Sequence, residues 1–233
     1  MLAATNYYRE NSNVGNSSTI RHDNRTTKTS QFPSSRTLRL QTRDQFVSKR
    51  LTLREVSLTT TMGADGIGLF RTELAFNVMG HIPNRDEQQS LFGDVLRAAT
   101  GPVVIRTWDI GSDKPLPPIS VGNEPNPALG SREVRLYPLH EDRFRDQLAA
   151  LLAAWQNHPS ELSVMFPMIG TVDDWIYCRD TFMQVRDRAG ITAHIRLGIM
   201  CEIPAVLYVL PDLAREGVEF VSLGVEDPRN MQL

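Results

Sequence analysis

The chain has 233 residues, 41% of them apolar and 22% charged, with a net charge of −2. That is room and apolar content for one large domain or two small ones, and it gives no global attraction for nucleic acid or an anionic membrane. No apolar run approaches the roughly 18 residues of a spanning helix, and no basic-then-apolar signal peptide opens the chain. Cys178 and Cys201 form neither a CxxC nor a disulfide framework, so a reducing cytoplasm is the expected location.

Taken in chain order, the near-neutral total divides unevenly. Residues 1–62 hold ten Lys/Arg against four Asp/Glu, a sum of +6, and the remainder sums to −8. Within 1–35, sixteen residues are Ser, Thr or Asn. Such a stretch buries too little apolar surface to offset its ordering entropy. Residues 1–62 are therefore expected to be a basic leader, largely disordered or poorly ordered. A tail that touches an acidic partner and an organelle transit peptide are the alternatives; Glu10 and Asp23 count against the second.

From Gly63 onward short apolar runs alternate with helical periods. Ile67–Phe70, Val103–Ile105, Ser163–Phe166, Ile195–Met200 and Val218–Leu223 are expected strands, with Leu53–Leu58 a weaker sixth. Each is apolar on both faces, as in a parallel sheet covered by helices. The amphipathic segments Asp86–Ala99, Asp142–Trp155, Asp173–Arg188 and Ala205–Arg215 are expected helices. The alternation over residues 63–233 implies βα units and a parallel sheet.

Four charged residues fall at predicted strand ends. Arg71 follows Gly-Leu-Phe, Arg106 follows Val-Val-Ile, Glu202 follows Ile-Met-Cys, and Asp227 lies just beyond Ser-Leu-Gly. In a barrel of βα units this is the face where active sites gather. Arginines recognise phosphate and carboxylate through bidentate hydrogen bonds. Paired carboxylates suit a hard cation such as Mg²⁺. One such residue alone is more often a surface ion-pair partner; the four together point to a small phosphorylated acid bound with a metal.

The segments around these residues carry a resemblance. Gly63-Ala64-Asp65-Gly66-Ile67-Gly68-Leu69-Phe70-Arg71-Thr72-Glu73 resembles a signature of the phosphoenolpyruvate-utilising barrel of the enzyme I family, the phosphoenolpyruvate–protein phosphotransferases of bacterial sugar transport. Val103-Val104-Ile105-Arg106-Thr107 with Asp109-Ile110-Gly111-Ser112-Asp113-Lys114-Pro115 resembles a second segment. Asn126–Arg132, Met165–Ile169 and Gly198–Ala205 resemble three more, all in family order. Pyruvate phosphate dikinase and phosphoenolpyruvate synthase share the barrel, but the wording is nearer enzyme I.

The resemblance implies an α/β fold, a (β/α)8 TIM barrel of the phosphoenolpyruvate/pyruvate type, here truncated after about six strands. It implies that Arg71 and Arg106 bind phosphoenolpyruvate, with Arg132 and Lys114 nearby, and that Glu202 and Asp227 hold Mg²⁺. It also implies a histidine-containing phosphoacceptor domain or carrier protein as partner, and a homodimer through the barrel. No membrane or nucleic-acid partner is expected. Glu226 and Asp227 stand in the substrate segment, where Glu226 replaces the family's asparagine and accepts hydrogen bonds only. The family's late arginine and proton-donating cysteine loop have no counterpart, so no catalytic residue is assigned, and Cys201 is read as buried core. The alternatives are a non-catalytic remnant acting as a binding module, and a dikinase- or synthase-type fragment. With Arg106 assigned to ligand, Arg106→Ala is expected to remove binding with little loss of fold.

Overall fold

The computed structural model describes residues 3–5, 39–40, 65–110 and 133–223. Among these residues seven parallel strands form one sheet. They are β1 (Ala3–Thr5), β2 (Arg39–Leu40), β3 (Ile67–Arg71), β4 (Val103–Arg106), β5 (Leu162–Phe166), β6 (Arg196–Cys201) and β7 (Phe220–Leu223). The order across the sheet is β2-β1-β7-β6-β5-β4-β3. From β3 to β7 sequence neighbours are spatial neighbours, and each connection contains helix, as parallel pairing requires. The architecture is α/β, a parallel sheet curled into part of a barrel. Of the basic leader only β1 and β2 are described, with β1 alongside β7. Leu53–Leu58 lies outside the described residues.

Among the described residues five α-helices accompany the sheet: α1 (Thr72–Met79), α2 (Arg85–Ala98), α3 (Glu141–Asn157), α4 (Val172–Arg188) and α5 (Val206–Arg215). The last four fall where periodicity placed them, within a residue or two at each end. Their starts follow local chemistry. Asn84 and Glu87 make a reciprocal capping box at α2, and Thr171 and Asp174 do the same at α4. Helix α1 is additional to the expected set. It leaves β3 without a loop, with Arg71 both last strand residue and uncapped N-cap, so no Ser, Thr, Asp or Asn announces it. Gly80 ends it at φ 75°, in the left-handed conformation that a glycine takes without a Cβ penalty.

The pleat separates two faces. Phe70, Ile105, Val164 and Leu197 lie in register across β3–β6, and Phe166, Ile199 and Val221 across β5–β7. These residues join the main core with Phe92, Leu148, Leu151, Trp175 and Phe182 from the helices. The opposite, inner face holds a much smaller cluster of Met165, Met200 and Phe220, edged by Leu69 and Val104. Gly198 belongs to this face. A Cβ there would meet the Phe220 ring at 2.6 Å and its carbonyl oxygen at 2.5 Å, so the missing side chain makes the room that Phe220 occupies.

One register irregularity decides what stands beside that cluster. Ile67 pairs with Val103, but Phe70 pairs with Ile105, so β3 carries one extra residue between the two pairs. An inserted residue shifts every later side chain by one place and hence to the other face. As a result Phe70 faces the helices, and Arg71 comes level with Arg106 on the inner face, in line with Met165, Gly198 and Phe220.

Candidate active site at the C-terminal strand ends

Arg71 and Arg106 end adjacent strands, and Glu202 follows the last residue of β6. The structure therefore brings three of the sequence-derived site residues to one end of the sheet. Lys114, Arg132, Glu226 and Asp227 lie outside the described residues.

Two arginines side by side repel each other, and what holds them is a set of carboxylates. Arg71 Nε donates to Glu73 Oε1 at 2.6 Å, and Arg106 Nη2 donates to the same oxygen at 2.7 Å. Arg106 Nη2 also donates to Asp109 Oδ2 at 2.5 Å, and Nη1 reaches Glu202 Oε1 at 3.4 Å and Met200 Sδ at 3.1 Å. Glu73 is 1% exposed and Arg106 3%, whereas Arg71 is 26% exposed. Arg106 is thus an enclosed hub and Arg71 an accessible rim. The expectation that Arg106→Ala would spare the fold does not survive this geometry. Removing one member of a buried ion cluster strands the others, at a cost of about 3–5 kcal/mol.

Glu202 is fixed from its far side. Its Oε2 accepts from the Met168 N–H at 3.1 Å, and Met168 adopts φ 52°. A left-handed non-glycine residue costs about 1–2 kcal/mol, spent here on turning an amide toward a carboxylate. The segment after β4 is braced from behind by a buried polar chain. Gln147 Oε1 accepts from the Trp108 N–H at 2.9 Å and its Nε2 donates to Thr72 Oγ1 at 3.4 Å. Tyr137 Oη donates to the Trp108 carbonyl at 2.8 Å and lies 2.8 Å from Thr107 Oγ1. The Tyr137 ring stacks on Phe144 at 4.0 Å, which ties the same segment to α3.

Glu73 and Asp109 stand inside segments quoted from the sequence, but sequence reasoning gave them no role. The signal available was an acidic residue two or three positions after each strand-end arginine. Met168, Gln147 and Tyr137 carried no such signal, because their parts depend on what the fold sets beside them.

Magnesium is the cofactor that the sequence reading implies, and of its two implied ligands only Glu202 is among the described residues. Glu73 Oε2 is buried without a hydrogen-bond partner among the described residues, and Glu202, with side-chain exposure of 10%, is reachable from outside. Hard anionic oxygens of this kind are what a divalent cation such as Mg²⁺ takes as ligands. Among the described residues there is no group of three His, Cys, Asp or Glu arranged to hold a metal. The pair implied from sequence, Glu202 with Asp227, has its second member outside them.

Cys201 is buried, in keeping with a core role. Burial first, and the neighbouring Glu202 carboxylate second, push its thiol up, which disfavours the thiolate form. A cleft of about 380 Å³ lies at the opposite ends of β6 and β7, lined by Trp175, Arg179, His194 and Glu219 among others. Its charged groups are paired with one another, His194 with Glu219 at 2.7 Å and Arg179 with Glu216 at 3.0 Å. It contains none of the strand-end residues.

Comparison with known proteins points the same way. Residues 48–233 match the protein family described as PEP-utilising enzyme, PEP-binding domain. The match begins inside the segment that composition marks as leader. The chain is 40% identical over 171 residues to the phosphoenolpyruvate-protein phosphotransferase of Geobacillus stearothermophilus, covering 71% of this chain and 29% of that protein. It is 39% identical over 171 residues to the protein of that name from Staphylococcus aureus, with the same coverage. A multiphosphoryl transfer protein of Rhodobacter capsulatus is 38% identical over 174 residues, covering 74% of this chain and 21% of that protein. The matched region thus corresponds to less than a third of the length of these relatives. No helix among the described residues is long and apolar enough to cross a membrane.

Proposed function

The chain belongs to the phosphoenolpyruvate-utilising enzymes, through their phosphoenolpyruvate-binding domain, and from that premise we propose that it is the Mg²⁺-dependent, phosphoenolpyruvate-binding part of a phosphoenolpyruvate–protein phosphotransferase. In this reading the phosphoryl group passes to a histidine on a separate domain or carrier protein, and pyruvate is left. The division into a leader (1–62) and a partial barrel (63–233), cytoplasmic location, a part in sugar transport and a homodimer through the barrel belong to the same proposal.

The observation that carries it is the level placement of Arg71 and Arg106 on the inner face, held by buried carboxylates. Phosphoryl transfer asks little covalent chemistry of a protein; positioning and charge stabilisation account for most of the catalysis. Arg71 meets the first need. Its Nε is anchored on Glu73, which leaves the outer nitrogens to take phosphoryl oxygens in a planar, two-pronged contact. Arg106, enclosed and tied to Asp109 and Glu202, supplies fixed positive charge beside it. Lys114 and Arg132, in segments that resemble the family's, would add positive charge near the substrate, whereas Glu226, in the substrate segment, accepts hydrogen bonds only and would repel the phosphoryl group. Glu202 and Asp227 would hold Mg²⁺, which when bound would neutralise charge on the substrate's oxygens.

A thermal unfolding series tests the reading. Phosphoenolpyruvate with Mg²⁺ at a hundred times its dissociation constant should stabilise the chain by about 2.7 kcal/mol. Either component alone should do less. An unmoved melting curve at saturating concentrations of both would sink the catalytic reading and leave the domain as a binding or interaction module.

A further inference from the structure

The two arginines are separate in sequence, yet one oxygen atom serves both. Glu73 occupies the first turn of α1, where the unsatisfied amides of a helix start favour negative charge. Its Oε1 accepts from Arg71 Nε at 2.6 Å and from Arg106 Nη2 at 2.7 Å. Both contacts are short, as charge-assisted bonds are. The carboxylate is enclosed, 1% exposed, while the Arg71 side chain is 26% exposed. Among the described residues, none takes a hydrogen bond from Arg71 Nη1 or Nη2.

We propose that Glu73 is a positioning residue for phosphoenolpyruvate: by gripping Arg71 at Nε and Arg106 at Nη2, it sets the planes of both guanidiniums and leaves the outer fork of Arg71 to the phosphoryl group. The inference rests on the substrate reading given above. An unanchored arginine carries about 2 kcal/mol of rotamer entropy, much of which a ligand would otherwise have to remove. The grip also sets spacing. Two guanidiniums bonded to one oxygen atom are held at a fixed separation, and a phosphoryl group has oxygens in a fixed tetrahedron to match it. Neither bond is available to a neutral apolar residue at position 73, and a carboxylate one methylene shorter cannot reach both partners from the same backbone.

The test is titration calorimetry of the full chain with phosphoenolpyruvate in the presence of Mg²⁺. Glu73→Gln, which keeps size but loses charge, should bind about tenfold more weakly or worse, the scale seen when the residue that orients a binding group is replaced. Arg71→Lys supplies the second arm, since it retains charge but has no Nε to grip. In that background Glu73→Gln should add less than about threefold, because effects that share a partner do not multiply as independent ones do. An equal loss in both backgrounds would make Glu73 merely structural and overturn the inference, as would Glu73→Gln binding within about twofold of the parent. If Glu73→Gln does not fold, Glu73→Asp carries the same comparison with the charge retained. A parent chain that fails to bind phosphoenolpyruvate would instead overturn the substrate reading itself, and this inference with it.

Discussion

The outer and inner faces of the sheet are made by alternate residues of the same strands, yet they are built on different principles. On the outer face Phe70, Ile105, Val164, Phe166 and Ile199 meet the helices in a continuous apolar core. On the inner face three residues, Met165, Met200 and Phe220, form a small apolar cluster, and beside it stand two arginines and three carboxylates. Burial of apolar surface is non-directional and tolerates many arrangements. A buried ion cluster tolerates few, because each charge must find its partner or forfeit several kcal/mol. The difference teaches that the outer face supplies stability and the inner face spends part of it on an ordered array of charge.

The sharpest way to break this comparison is to damage each face once. Phe166→Ala should cost about 3–5 kcal/mol through a cavity behind the Phe144 and Trp175 rings. Arg106→Ala should cost a similar amount, about 3–5 kcal/mol, although it removes no apolar core. Urea unfolding measures both. An Arg106→Ala loss below about 1 kcal/mol would mean that the cluster behaves like a solvated surface pair, and the two faces would not differ in the way described.

A smaller effect is expected in the inner apolar cluster. Gly198→Ala pushes a methyl group into the Phe220 ring and carbonyl, and overpacking of this kind costs about 1–3 kcal/mol. Because Gly198 lies in register between Met165 and Phe220, the strain should spread toward β7, visible as faster amide exchange there than in β4.

The smallest change in stability should come from Arg71→Ala. This residue is the exposed member of the cluster, so its loss should cost less than about 1 kcal/mol. It should nevertheless remove the phosphoenolpyruvate-dependent rise in melting temperature. Preserved fold with lost ligand response at Arg71, against lost fold at Arg106, would separate rim from hub within one site.

Much of this was legible in the chain itself. Five apolar strand runs, four amphipathic helices and the end-of-strand positions of Arg71, Arg106 and Glu202 follow from periodicity and from the ordered motifs. Helix α1 was not legible, because it begins on a strand residue and carries apolar Leu74, Ala75, Phe76, Val78 and Met79 with no cap to mark its start. Nor was the burial of Arg106, since a lone arginine after a strand reads the same whether it faces water or three carboxylates.

What the sequence by itself determined is the α/β order of elements, the family and the set of charges at the strand ends, because these depend on local pattern and residue type. What only the tertiary structure decided is how those charges meet. The extra residue in β3 turns Arg71 to the inner face beside Arg106, and the first turn of α1 drops Glu73 between them. Register and side-chain convergence are relations between strands far apart in the chain, and no local preference of either strand contains them.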